Sequence, residues 1–178
     1  MKVFFSGGCK NGKSTLAERT IKTLSAGGPL YYIATMIPHD EEDRERIRRH
    51  VSSRAGLGFI TLEQGVDVCD CLRSADPNGS FLLDSVTALL SNEMWPKGGY
   101  VPNAGEKTAN DLRELVQRVN NIVFVSDFIY ADAGRYDSYT EVYRRALALC
   151  DRTLAEICDT VVEVFSTNPV IYKGGLPE

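Results

Sequence analysis

Gly7-Gly8-Cys9-Lys10-Asn11-Gly12-Lys13-Ser14 decides how this chain is read. The spacing is GxxxxGK[ST], and the flanks agree with it. Lys2 to Ser6 is short, aromatic and β-branched, which reads as a buried strand. Ser14 to Leu24 places Leu16, Thr20 and Leu24 on one side of a helix, stopped by Gly27-Gly28-Pro29. Glycines let the backbone curl so that successive N–H groups face one anion. The helix N-terminus adds partial positive charge. Lys13 is placed to reach β- and γ-phosphates, and Ser14 to offer its hydroxyl to Mg²⁺. A glycine-rich turn with no ligand is the competing reading, and the strand–loop–helix context weighs against it. Cys9 reads as a tolerated small side chain, not a catalytic thiol.

Outward from the loop, strand-like and helix-like segments alternate. Further strands are expected at 30–36, 59–62, 81–84, 122–126 and 160–165, with a last edge strand at 170–172. Helices are expected at 40–54, 86–95, 106–120 and 138–158, with a helical turn or two at 66–73. Pro96 to Gly105 reads as a surface loop, too short for a domain linker. The alternation implies one α/β domain over 1–178. It is a P-loop NTPase-like (RecA-like) fold with a mostly parallel sheet flanked by helices.

Composition narrows the function. Twenty basic against twenty-four acidic residues leave a net charge of −4, so no footprint for unspecific nucleic-acid binding is expected. The longest apolar runs fall far short of the roughly 20 residues of a membrane helix. The N-terminus turns glycine-rich too soon for a secretory signal. Five cysteines with no CxxC pair read as thiols of a reducing, cytoplasmic setting, without a structural metal site.

Two more places carry chemistry. Asp84 ends the apolar run Phe81-Leu82-Leu83, where a second magnesium ligand sits in P-loop enzymes. Capping the following helix is its other reading. Residues 40–50, DEEDRERIRRH, put acids first and bases last, matching the helix dipole. A solvated, salt-bridged helix would show the same pattern. The spacing adds to it: Arg46, His50 and Arg54 recur every four residues and share a face. Nearby arginines disfavour the imidazolium, keeping a ring nitrogen free to attack phosphorus while they hold phosphate oxygens. His39, after Pro38, reads as a surface histidine.

These residues resemble the bifunctional adenosylcobinamide kinase / adenosylcobinamide-phosphate guanylyltransferase family. The likeness runs through Phe5 to Ser14 with Ala17-Glu18, Tyr32-Ile33-Ala34-Thr35, Arg46-Ile47-Arg48-Arg49-His50 with Arg54, Thr61-Leu62-Glu63, Asp84-Ser85, Thr87 and Asn92. The resemblance implies that His50 carries a guanylyl group and that Gly7 to Ser14 bind nucleotide phosphates. It also implies GTP contacts at Ala34, Thr35, Met36, Val51, Ser52, Ser53, Arg54, Glu63 and Asp84. The implied reactions phosphorylate adenosylcobinamide with ATP or GTP, then move GMP onto the phosphate to give adenosylcobinamide-GDP. A homo-oligomer, typically a trimer, is implied as well.

The second half departs from that pattern. A family V-S/T-N-E-V-G run stands here as Val125-Ser126-Asp127-Phe128-Ile129-Tyr130. The family's F-R-D-x-A-G-x-x-N resembles Tyr143 to Asp151, with its Gly and Asn replaced. The competing functions are a single-activity guanylyltransferase or kinase on a related substrate, and a non-catalytic nucleotide-binding regulator. A mere binder has no need of His50.

Overall fold

Short apolar strands joined by helical crossovers pair in parallel, because each crossover returns the chain to the same end of the sheet. The computed structural model describes residues 1–130 and 132–177, apart from the side chain of Ser53, and has this layout. Strands β1 (Lys2–Gly7), β2 (Leu30–Ala34), β3 (Ile60–Glu63), β4 (Ser80–Asp84), β5 (Asn121–Asp127), β6 (Thr160–Phe165) and β7 (Asn168–Lys173) form one sheet. Their order is β3-β2-β4-β5-β1-β6-β7. Every pairing is parallel except the β6–β7 hairpin. Helices α1 (Lys13–Ser25), α2 (Glu41–Ser53), α3 (Val86–Met94), α4 (Ala104–Arg118) and α5 (Ser138–Ile157) make the connections, with a 3-10 turn at Val68–Arg73.

Alternation along the strands feeds two cores. Val3, Phe5, Tyr32, Leu82 and Val123 pack with Ala17 and Ile21 of α1. Phe4, Ile33, Phe81, Leu83 and Phe124 pack beneath α3, α4 and α5. Strands buried on both faces lose the apolar–polar alternation of a half-exposed sheet and read as continuous apolar runs. Strand β4 pairs with β5, so one sheet joins both halves of the chain and no division falls near residue 100.

The departures from expectation are short. The strand expected over 30–36 stops at Ala34, because the Thr35 hydroxyl turns to the Ser85 peptide. Helix α4 starts at Ala104 and shortens the expected loop: Ala104 is fully buried, and Gly105 packs so tightly that an added Cβ would lie 2.7 Å from the Ala146 Cβ. Strand β5 runs to Asp127, one residue beyond the expected end, and that residue pairs in register with Gly7. The C-terminal edge of the sheet therefore presents Glu63, Ala34, Asp84, Asp127 and Gly7 in spatial order.

Candidate active site

The phosphate loop is built by constraint at both ends. Gly7 has φ +151°, and a Cβ there would lie 2.5 Å from the Val164 carbonyl oxygen, so only glycine fits. The Asn11 side-chain amide donates to the same oxygen and ties the loop to β6. Gly12, with φ +90°, opens α1. Lys13 is 5% exposed, and its ammonium folds back over the loop. It donates to Gly8 O at 2.7 Å and Asn11 Oδ1 at 3.3 Å, and pairs with Asp127 Oδ1 at 2.6 Å.

Asp84 ends β4 facing the same space. The helix after it is capped by Ser85, whose Oγ accepts from Ala88 N at 3.2 Å. The capping alternative for Asp84 therefore falls to its neighbour. Asp84 Oδ2 accepts from the Tyr32 hydroxyl at 3.1 Å, and the Arg54 guanidinium lies 3.4 Å over the Tyr32 ring. Burial, then the Asp84 charge, push the Tyr32 phenol well above its usual range. Burial likewise raises the Glu18 carboxyl, with Arg54 opposing and Asp84 adding.

Helix α2 brings His50 in its last turn. Partial desolvation at the cavity wall pushes the imidazole of His50, an exposed residue, below its ordinary value; Asp84 opposes, and Arg54, Arg46 and Arg49 push the same way as the desolvation. The direction is the one expected from the flanking arginines, but desolvation is the larger cause. The loop and α2 meet across one cavity of about 1080 Å³, at the upper end of the range for small-ligand sites. Cys9, Lys10, Gly12, Lys13 and Ser14 line one side. Arg46, His50, Val51 and Arg54 line the other, with Ala34, Met36, Glu63 and Asp84 between.

Not every expected residue faces that space. Thr35 is fully buried, and its hydroxyl is committed to Ser85. Ser52 does not line the cavity, and the Ser53 side chain lies outside the described residues. Gly8 and Asn11 face a smaller cavity of about 400 Å³ on the β6 side of the loop, together with Cys9 and Lys10. His39 is exposed, its backbone N–H donating to Asp43.

Two features escape reading from sequence. One is Asp127, whose partner Lys13 is distant in the chain. The other is Lys107, whose ammonium lies 2.7–2.9 Å from Asp67, Glu93 and Asp111. Those three carboxylates have the spacing of a cation site, but the lysine already supplies the positive charge.

Residues 3–171 match the family described as cobinamide kinase / cobinamide phosphate guanyltransferase. The chain belongs to that family. Cobinamide kinase / cobinamide phosphate guanyltransferase membership makes it a transferase of cobalamin biosynthesis, with nucleotide and cobinamide substrates. The match extends through 125–151, where this chain departs from the family pattern. Curated protein sequences yield no match. Among solved structures, the KaiC-like protein PH0186 from Pyrococcus horikoshii OT3 aligns with TM-score 0.51 and 13% identity, covering 97% of this chain and 79% of that one. The flagellar accessory protein FlaH from Methanocaldococcus jannaschii aligns with TM-score 0.44 and 12% identity, covering 98% and 78%. The first likeness shows the fold alone. That fold is RecA-like, with β5 inserted between the P-loop strand β1 and the acid-bearing strand β4. Among the described residues, no helix is long and apolar enough to cross a membrane.

Proposed function

We propose that the one cavity performs two transfers in turn: phosphorylation of adenosylcobinamide, and then guanylylation of the product through His50. What carries the reading is that Lys13 and His50 line the same space, with Asp84 acting electrostatically on His50.

In the first step the acceptor hydroxyl attacks the γ-phosphorus, and a nucleoside diphosphate leaves. Lys13 exchanges its contacts within the loop for phosphate oxygens. In the second step a neutral ring nitrogen of His50 attacks the α-phosphorus of GTP. The N–P bond forms, the bond to the β-phosphate oxygen breaks, and pyrophosphate leaves. A phosphate oxygen of adenosylcobinamide phosphate then attacks the same phosphorus, and the N–P bond breaks to free His50. Arg46 and Arg54 hold the oxygens that gain charge, and the lowered basicity of His50 favours the attacking form.

Ser14 and Asp84 are hard oxygen donors facing the cavity, a set that suits Mg²⁺ completed by phosphate oxygens. When bound, that ion would neutralise phosphate charge.

The two steps separate by mutation. With adenosylcobinamide, GTP and Mg²⁺, the wild type forms adenosylcobinamide-GDP. His50→Ala stops at the phosphate, and Lys13→Ala accumulates neither product. If His50→Ala still completes the sequence, the assignment of the second step is wrong.

A further inference from the structure

We propose that Asp127 is the general base of the phosphoryl-transfer step, taking the proton of the attacking hydroxyl beside Lys13. The inference rests on the two-transfer reading above and adds a residue to it.

Four carboxylates border the main cavity: Glu42, Glu63, Asp84 and Asp127. Glu42 lies exposed in the first turn of α2. Glu63 stands on β3, beyond β2 and β4 from the loop strand's neighbour. Asp84 already accepts from Tyr32 and is one of the two oxygen donors that would hold Mg²⁺, and the residue after it is Ser85, whose hydroxyl caps α3. No second acid therefore follows on that strand. Asp127 alone touches Lys13, the residue that marks the γ-phosphate end of the loop.

Its placement is fixed from three sides. Its backbone N–H donates to Thr87 Oγ1 at 2.9 Å, and the next N–H, of Phe128, donates to Gly7 O at 3.2 Å. In the ladder, Asp127 is the register partner of Gly7. Oδ1 holds Lys13, while Oδ2 takes no hydrogen bond from the described residues. The side chain is 27% exposed, open enough to meet an acceptor. This chain has Asp where the family pattern has Asn, and Phe where it has Glu, so here position 127 supplies the carboxylate of this edge.

The step balances without further reagents. The hydroxyl oxygen forms the new bond to the γ-phosphorus as the bond to the β,γ-bridging oxygen breaks. The nucleoside diphosphate leaves with that electron pair, and the hydroxyl proton passes to Asp127.

The test uses the full chain with adenosylcobinamide, Mg²⁺ and γ-labelled GTP or ATP, across a range of pH. Asp127→Asn should lower kcat by about 10²- to 10⁴-fold, the usual worth of a general base. The nucleotide KM should not rise, because Lys13 loses a competing partner. The acid limb of the wild-type pH profile should vanish in Asp127→Asn, and Asp127→Glu should recover part of the rate. Labelling of His50 by α-labelled GTP reports folding independently, and should persist in both variants. Wild-type-like phosphoryl transfer by Asp127→Asn overturns the inference. A loss confined to nucleotide KM, or an equal loss of His50 labelling, also overturns it by showing a structural role. A wild-type protein that transfers no γ-phosphoryl group overturns the kinase reading itself, and this inference with it.

Discussion

Around the phosphate loop, Lys13 is 5% exposed, Gly7 is wedged against Val164, and Asn11 and Asp127 tie the loop to β6 and β5. On α2, across the cavity, no described side chain is buried. That helix stands on its ends. Asp40 accepts from Asp43 N at 2.8 Å, Glu41, Glu42 and Asp43 fill the first turn, and Arg54 at the C-terminal end stacks on Tyr32. Between the ends, Arg48 bridges Glu41 and Glu45 in solvent. A loop locked by the core suits the fixed geometry of phosphate binding. A helix with no buried side chain among its described residues opens at lower cost than a loop wedged into the core. The two proposed transfers would present different phosphorus atoms to the protein, and His50 sits on the sparsely packed side.

Breaking the locked side should cost most. Lys13→Ala should reduce phosphoryl transfer by about 3 kcal/mol or more in barrier, roughly a hundredfold or greater, as for other lost electrostatic stabilisers. Steady-state kinetics would read it, and unchanged turnover would make the loop merely structural.

The next effect lies where α5 meets β5 and the residues just after it. Asp151 is 3% exposed, and burial pushes its carboxyl up to about 6. Tyr130 opposes by donating at 2.8 Å, and Asp127 adds to the rise. Ser126 faces it too, yet neither its Oγ nor Asp151 Oδ1 makes a well-formed hydrogen bond among the described residues. A carboxyl whose folded pKa is raised favours folding when protonated. That contribution is full below about pH 4 and is lost as pH rises through about 6. Asp151→Asn should therefore gain up to about 3 kcal/mol at neutral pH, from a rise of about two units, and little in acid. Urea unfolding at both pH values checks it. An equal effect at both would remove the buried charge from the account.

The sparsely packed side should respond less. Arg54→Ala removes the stack on Tyr32, worth about 1–2 kcal/mol when desolvated, and should slow guanylylation of His50 by about tenfold. Arg54→Lys keeps the charge that steadies phosphate oxygens but not the planar stack, so it should recover only part of the loss. Smallest of all, Arg48→Ala should leave both melting temperature and His50 labelling unchanged, because its ion pairs lie in solvent. A large effect there would mean that α2 depends on its middle and not on its ends.

The part of this comparison visible in the sequence is the local part. The loop's spacing, the caps of α2 and the four-residue recurrence of Arg46, His50 and Arg54 are short-range patterns. Most strands were also legible, since apolar runs between turn residues leave few alternatives. Lys13–Asp127 was not, because 114 residues separate the pair and only the strand order sets β5 beside β1. The same holds for Arg54 on Tyr32, which depends on how α2 ends against β2. The Thr35 contact is equally long-range: its hydroxyl finds a backbone partner 50 residues away.

The claim that joins both regions is that His50 forms a bond to phosphorus supplied through the phosphate loop. Incubation of the full chain with α-labelled GTP and Mg²⁺ tests it directly. The account predicts an acid-labile, base-stable label on the protein, formed as pyrophosphate leaves and absent from His50→Ala. Because the imidazole lies below its ordinary value of 6.5, labelling should persist to lower pH than an unperturbed histidine allows. A label that survives in His50→Ala, or none in the wild type, would contradict the account.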